Sequence, residues 1–100
     1  MFFWIKESKL EKVIMRYIQL QNLERIENNV AVFFLGGIGG KFADITFVKS
    51  ENLLDIKKEF LVSICNFFSI DEKYAQKMIV RYFKEIMKFK IKNVNVFSSK

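Results

Sequence analysis

All four glycines of this chain fall in the five-residue segment Gly36–Gly40, between two strongly apolar segments. These segments, Val30–Leu35 and Phe42–Val48, are rich in β-branched and aromatic residues, which favour β-strands. Glycine adopts positive φ angles without a steric penalty and is therefore common in tight loops that join antiparallel strands. The pattern predicts a two-stranded antiparallel hairpin with a glycine-rich loop.

Two capping-box patterns mark helix starts on either side of this hairpin. Residues 8–11 and 69–72 both have the S-x-x-E spacing, in which the Ser and Glu side chains each satisfy a backbone N–H of the first turn. Apolar residues at helical spacing follow the first box, so an N-terminal helix is predicted from Ser8 to about residue 21. Residues 22–29 have no clear period and receive no assignment.

Two further helices and a final strand are predicted after the hairpin. The second helix is expected to begin near Ser50 or Asn52, with Lys57 on its apolar side and the Lys57 amine reaching water. The third is expected over residues 70–89, and the alternation in residues 91–97 predicts a short last strand. The predicted fold class is therefore α+β: an N-terminal helix, a two-stranded hairpin, two C-terminal helices and a final short strand.

Composition limits the chemistry of this chain. With 100 residues, 51% of them hydrophobic, and no proline, we expect one folded domain over residues 1–100. Histidine is absent and Cys65 is the only cysteine, which excludes zinc-finger spacings, Ser-His and Cys-His catalytic arrangements and internal disulfides. Cys65 is interpreted as a small buried hydrophobic residue. We expect a protein that is not an enzyme, with no catalytic residue, metal site or cofactor.

Apolar segments are short in this chain. The N-terminal apolar segment ends at Lys6 after five residues, which is shorter than the apolar region of a signal peptide. The longest uncharged apolar segment, Val30–Gly40, spans 11 residues, whereas a membrane helix needs about 20. We therefore expect a cytoplasmic protein with no membrane span.

Positive charge is concentrated near the C-terminus. Residues 73–92 hold seven basic residues against Glu85 alone, while the other 80 residues hold ten basic and ten acidic residues. The formal net charge of +6 therefore comes entirely from one fifth of the chain. Helical spacing would place five of these cations, from Lys73 to Lys88, within an arc of about 80°.

A narrow row of cations on a helix suits a polyanion, because each cation that meets a phosphate releases condensed counterions. We therefore expect this segment to dock on the backbone of nucleic acid, either DNA or RNA. The candidate contacts are Lys73, Lys77, Arg81, Lys84, Lys88, Lys90 and Lys92.

Other interpretations of the basic segment remain open. Lysines near a helix C-terminus complement the helix dipole, and a basic and aromatic helix also suits an anionic membrane surface. An acidic protein surface would meet the same cations, as in a protein-interaction or inhibitory module of a phage or mobile element. An enzyme site built from lysine, carboxylate or tyrosine would not show in the spacing. We also expect a homodimer formed through a strand edge or a helix face.

The glycine-rich loop is a second candidate contact with phosphate. Backbone N–H groups of glycine-rich loops converge on phosphate oxygens, which makes Gly37, Gly39, Gly40 and Lys41 possible loop contacts. A Walker A loop, however, requires glycine at the position of Leu35 and Ser or Thr at the position of Phe42. Nucleotide hydrolysis is therefore not expected.

Overall fold

The computed structural model describes residues 7–36 and 43–98, and within these residues it contains three helices and five strands. The α+β fold class is confirmed. The elements are α1 (Glu7–Leu20), β1 (Glu24–Glu27), β2 (Ala31–Leu35), β3 (Ile45–Val48), β4 (Leu53–Lys57), α2 (Lys58–Phe68), α3 (Glu72–Glu85) and β5 (Asn93–Phe97).

The strands form one mixed sheet in the order β1-β2-β3-β4-β5. The first four strands are antiparallel neighbours in sequence, and β5 pairs parallel to β4 after the chain has passed through α2 and α3. A parallel neighbour needs such a crossover, because a short turn can only reverse the chain. The sequence predicted a sheet of only two strands and therefore missed β1 and β4. The predicted final short strand is β5, which belongs to the same sheet.

The predicted hairpin corresponds to β2 and β3. The two strands pair antiparallel with Phe34 opposite Ile45, and the Asp44 N–H donates to the Phe34 carbonyl at 2.9 Å. At Gly36 the chain passes so close to Asp44 that an added Cβ would lie 2.0 Å from the Asp44 carboxylate. Glycine is required there by this close approach. The candidate contacts Gly37, Gly39, Gly40 and Lys41 lie outside the described residues.

The predicted start of the second helix is wrong. Residues 53–57 form β4, whose side chains alternate between the two faces of the sheet, and α2 begins only at Lys58. Asn52 has a positive φ of 49° in the turn before β4 and hydrogen-bonds across to the start of β5. Leu53, Ile56 and Phe60 fit helical spacing, whereas Leu54 and Ile56 fit an alternating strand, and this overlap of the two patterns explains the error.

One face of the sheet is buried under the helices. Its side chains are Val32, Phe34, Ile45, Phe47, Leu54 and Ile56, all of them buried. The ring of Phe83, from α3, packs edge-on against Phe34 with centroids 5.0 Å apart. Ile14 and Ile18 of α1 join the same cluster. Burying a large apolar side chain contributes about 2 kcal/mol, so this layer fixes the orientation of α3 on the sheet.

Helix α3 ends at Glu85, four residues before the predicted end. Lys88 takes a positive φ of 65°, and the Phe89 N–H donates to the Phe83 carbonyl at 3.0 Å. The turn returns the Phe89 ring to the core, where it stacks on Phe47 with centroids 4.7 Å apart. The helical arc predicted for the basic residues therefore stops at Lys84.

The two capping-box predictions are wrong in detail. Ser8 lies within α1. The N-cap of α3 is Asp71, whose side chain accepts a hydrogen bond from the Tyr74 N–H at 2.7 Å. Ser69 instead ends α2 in the left-handed conformation, with φ of 55° and ψ of 48°. Asp71, two residues after Ser69, is an equally good N-cap residue. Because the connection between α2 and α3 is short, Ser69 ends α2 and Asp71 begins α3.

Substitutions at Ser69 and Asp71 should affect stability in opposite directions. Asp71→Ala should lower the free energy of unfolding by about 1 kcal/mol, because it removes the acceptor of the Tyr74 N–H. Ser69→Gly should raise it by about 0.5 kcal/mol, because glycine adopts the left-handed conformation without strain. Equilibrium urea unfolding measures both changes. Destabilisation by Ser69→Gly, with no effect of Asp71→Ala, would instead support the capping box at Ser69.

Candidate nucleic-acid interface

Three of the candidate lysines lie in a row on the solvent side of α3. Lys73, Lys77 and Lys84 are exposed, whereas the buried side of the helix carries Ala75, Met78, Ile79, Tyr82 and Phe83. Within the described residues, none of the three amines has a carboxylate oxygen within 4.0 Å. Their charges therefore face solvent without local neutralisation.

Arg81 lies on the same helix, but two of its five N–H donors already bind carboxylates. Its Nε donates to Glu85 at 2.6 Å, and its Nη1 donates to Glu11 of α1. These hydrogen bonds, from Glu85 first and Glu11 second, raise the pKa of Arg81. Arg81 therefore acts as an ion-paired bridge between α1 and α3, and two carboxylates neutralise its charge.

The remaining candidate lysines follow α3 and do not extend its row. Lys88, Lys90 and Lys92 are exposed in the segment between Glu85 and β5. The backbone N–H of Lys92 donates to the Asn52 carbonyl at 2.8 Å, which fixes the chain beside the start of β4. Of the seven predicted contacts, the structure brings three together on one helix and leaves three in this connecting segment.

Two cations that sequence reasoning missed lie across from α3. Lys12 and Arg16 of α1 are exposed and line a groove of about 320 Å³, which is completed by Met15, Gln19, Tyr82 and Ile86. Their i, i+4 spacing was visible in the sequence, but Glu7 and Glu11 reduce the net charge of residues 7–20 to +1. The packing of α1 beside α3 brings these two cations together with Tyr82 and Ile86 of α3.

We define the basic helical face as two groups of exposed cations on the helix layer: Lys73, Lys77 and Lys84 of α3, and Lys12 and Arg16 of α1. The groove beside the second group also contains an exposed apolar residue, Ile86, which is 51% exposed. The groove therefore combines flexible cationic side chains with a small apolar surface.

The sheet face opposite the helices forms a second, different surface. Ile26, Phe33, Leu35, Ala43, Thr46, Asp55 and Phe97 line an open concavity of about 650 Å³ there. Asn95 donates a hydrogen bond to the Asp55 carboxylate at 2.8 Å and holds it near the centre of this face. This surface is apolar with a single oriented carboxylate, and so it does not suit phosphate.

A buried ion pair lies where β3 and β4 meet. Lys57 Nζ is 4.0 Å from Asp44 Oδ1, and the two side chains are 3% and 4% exposed. Burial raises the pKa of Asp44, whereas the Lys57 charge lowers it and the Glu59 charge raises it further. The expectation that the Lys57 amine reaches water is therefore wrong, because Lys57 belongs to a strand whose end is covered.

The other titratable groups of the described residues include no candidate metal cluster and one buried thiol. No cluster of three or more acidic or cysteine side chains is placed to hold a metal ion there. Cys65 is buried as expected, and burial raises the pKa of its thiol, with Glu72 and Asp71 adding to the effect. Across these same residues, no helix combines the length and apolar composition needed to cross a bilayer.

Comparisons of this chain with protein-family models, with curated proteins and with solved structures found no match.

The Asp44–Lys57 pair should be strongly coupled. Asp44→Leu and Lys57→Met should each lower the free energy of unfolding by about 3 kcal/mol, because each removes the opposite charge that lies 4.0 Å from a buried ionised group. The double variant should lose less than the sum of the two, since it buries no charge. Urea unfolding at pH 7 measures the two single variants and the double variant.

Lys49→Met is the control, because its exposed pair with Glu27 should contribute less than about 1 kcal/mol. Additive losses would contradict the coupling.

Proposed function

We propose that this protein is a non-enzymatic module that binds the phosphate backbone of nucleic acid through the basic helical face. The observation that carries the proposal is the row formed by Lys73, Lys77 and Lys84, exposed and without ion pairs among the described residues. We place its action in the cytoplasm, where nucleic acid is accessible and a lone thiol such as Cys65 stays reduced.

The spacing of the row supports contact with several phosphates. From Lys73 to Lys84 the helix rises about 16 Å, at 1.5 Å per residue. This is the axial length of about five successive phosphates on one strand of B-form DNA. Flexible lysine side chains tolerate local variation in phosphate position, so the contact needs no particular base sequence.

The α1 cations broaden this contact. Lys12 and Arg16 line a groove with Tyr82 and Ile86 of α3, so a nucleic acid that extends from the lysine row to this groove would meet positive charge from both helices. The additional contacts release further counterions, which strengthens binding at low salt and makes it fall more steeply as salt rises.

A second candidate function is the binding of an acidic partner protein by the same face. The exposed side chain of Ile86 and the half-buried Met15, both in the groove, favour it. Protein interfaces combine an apolar centre with a charged rim, whereas backbone contacts with a duplex need only charge. In this case the cations would steer the partner and Ile86 would contribute apolar contact.

Removing two lysines of the row should weaken binding to nucleic acid of every sequence. Lys77→Ala combined with Lys84→Ala should reduce the slope of log K against log salt concentration by roughly 1.4–1.8, for two lost phosphate contacts. Fluorescence anisotropy with single- and double-stranded DNA and RNA, between 50 and 200 mM salt, measures the slope.

The matched control for this variant removes the same charge from other elements. Lys49→Ala combined with Lys58→Ala should leave the slope unchanged. Binding that does not vary with salt, or equal losses in both double variants, would overturn the proposal. Retention on heparin without binding to any of the four nucleic acids would support the acidic partner protein instead.

Releasing Arg81 should strengthen binding. Glu11→Gln removes one acidic charge and one of the two carboxylates that hold the guanidinium, so an additional cation becomes available beside Lys77 and Lys84. We expect severalfold tighter binding at 50 mM salt and a steeper salt dependence. Glu51→Gln, which removes an equal charge from the turn before β4, serves as the control in the same anisotropy titration. Unchanged affinity in Glu11→Gln would place the contact away from Arg81.

A further inference from the structure

The two edges of the sheet differ in how readily a strand of another chain could pair with them. At one edge, β1 carries Glu24, Arg25 and Glu27, and Glu27 is paired with both Arg25 and Lys49. Charges on an edge strand oppose pairing with another chain. The edge formed by β1 is therefore protected.

The opposite edge has no such protection. Strand β5 reads Asn-Val-Asn-Val-Phe, with no charged residue and no proline, and within the described residues β4 is its only strand neighbour. Its outward N–H and C=O groups form a template for a further strand. Val and Phe also favour the extended conformation.

The side chains of β5 are compatible with a second copy of themselves. If two β5 strands pair antiparallel about a two-fold axis at Asn95, Val94 lies opposite Val96 of the second copy, and Asn93 lies opposite Phe97. Val94 and Val96 are half-buried on the helix-covered side, so their pairing extends the existing core. No like charges meet in this register.

The residues next to β5 fit the same arrangement. In that register Lys92 of the second copy lies opposite Ser98, beside a concavity of about 540 Å³ lined by Lys58, Glu59, Val62, Ser63, Asn66 and Ser98. This concavity contains one cation and one carboxylate, so it does not repel the incoming lysine. It gives room for the segment that precedes β5 in the second copy.

We propose that the protein forms a homodimer through antiparallel pairing of the β5 edges, which joins the two sheets into one of ten strands. A two-fold axis perpendicular to the sheet places both helix layers on the same side. Both basic helical faces then lie on one side of the dimer. If the proposed function holds, the dimer binds one long nucleic acid at two places.

Mass measurement and cross-linking test this dimer. Size-exclusion chromatography with light scattering at high micromolar concentration should give twice the chain mass of 11.9 kDa. Asn95→Cys, in a Cys65→Ser background, should form a disulfide-linked dimer on mild oxidation, because the two introduced thiols face each other at the axis. Ile26→Cys on β1, in the same background, is the matched control and should form no disulfide-linked dimer, because β1 lies at the opposite edge of the sheet. A mass of 11.9 kDa for the unmodified protein, or no cross-link in the Asn95→Cys variant, would overturn the proposal.

A charged residue at the two-fold axis tests whether the dimer strengthens binding to nucleic acid. Asn95→Lys places two lysines against each other and should give monomers, while Ile26→Lys should leave the dimer intact. Urea unfolding confirms that both variants fold. Affinity for a long nucleic acid should fall on the order of 100-fold in Asn95→Lys, and affinity for an oligonucleotide that spans one face should not fall. A monomer that retains salt-dependent binding refutes the dimer alone, and a dimer without such binding refutes only the proposed function.

Discussion

The packing of α3 on the sheet through Phe83 determines which of its side chains reach solvent. Because Phe34 and Phe83 meet at 5.0 Å, the helix cannot rotate without exposing its apolar side. The opposite side, with Lys73, Lys77 and Lys84, is therefore held outward by the core itself. The outward direction of the basic row is therefore a consequence of core packing.

The sequence predicted the elements whose periodicity was unambiguous. The hairpin of β2 and β3 and the buried side of α3 follow directly from apolar spacing, and both are present. Strand β1 could not be predicted, because its four residues are all exposed and show no apolar alternation. Strand β4 was assigned to a helix because its apolar residues continue into α2 at a spacing that both structures allow.

Counting charges along the chain identified residues 73–92 as the candidate site, but it could not show which of these cations are paired with acids or follow the end of the helix. The count included Arg81, which Glu11 reaches from a distant part of the sequence, and Lys88, which follows the end of the helix. It also passed over Lys12 and Arg16, because the two acids of the same helix leave residues 7–20 with a net charge of only +1. Pairing and cancellation depend on which elements become neighbours, and this information lies in the tertiary structure.

The stacking of Phe89 on Phe47 has a mechanical consequence for the chain beyond α3. Its ring is fixed in the core between an exposed lysine on either side, Lys88 and Lys90. The packing of this ring therefore holds the backbone on both sides of it, although Lys88 and Lys90 lie outside regular secondary structure. The two flexible side chains extend from an anchored backbone, so their amines can move only within the reach of the side chains themselves.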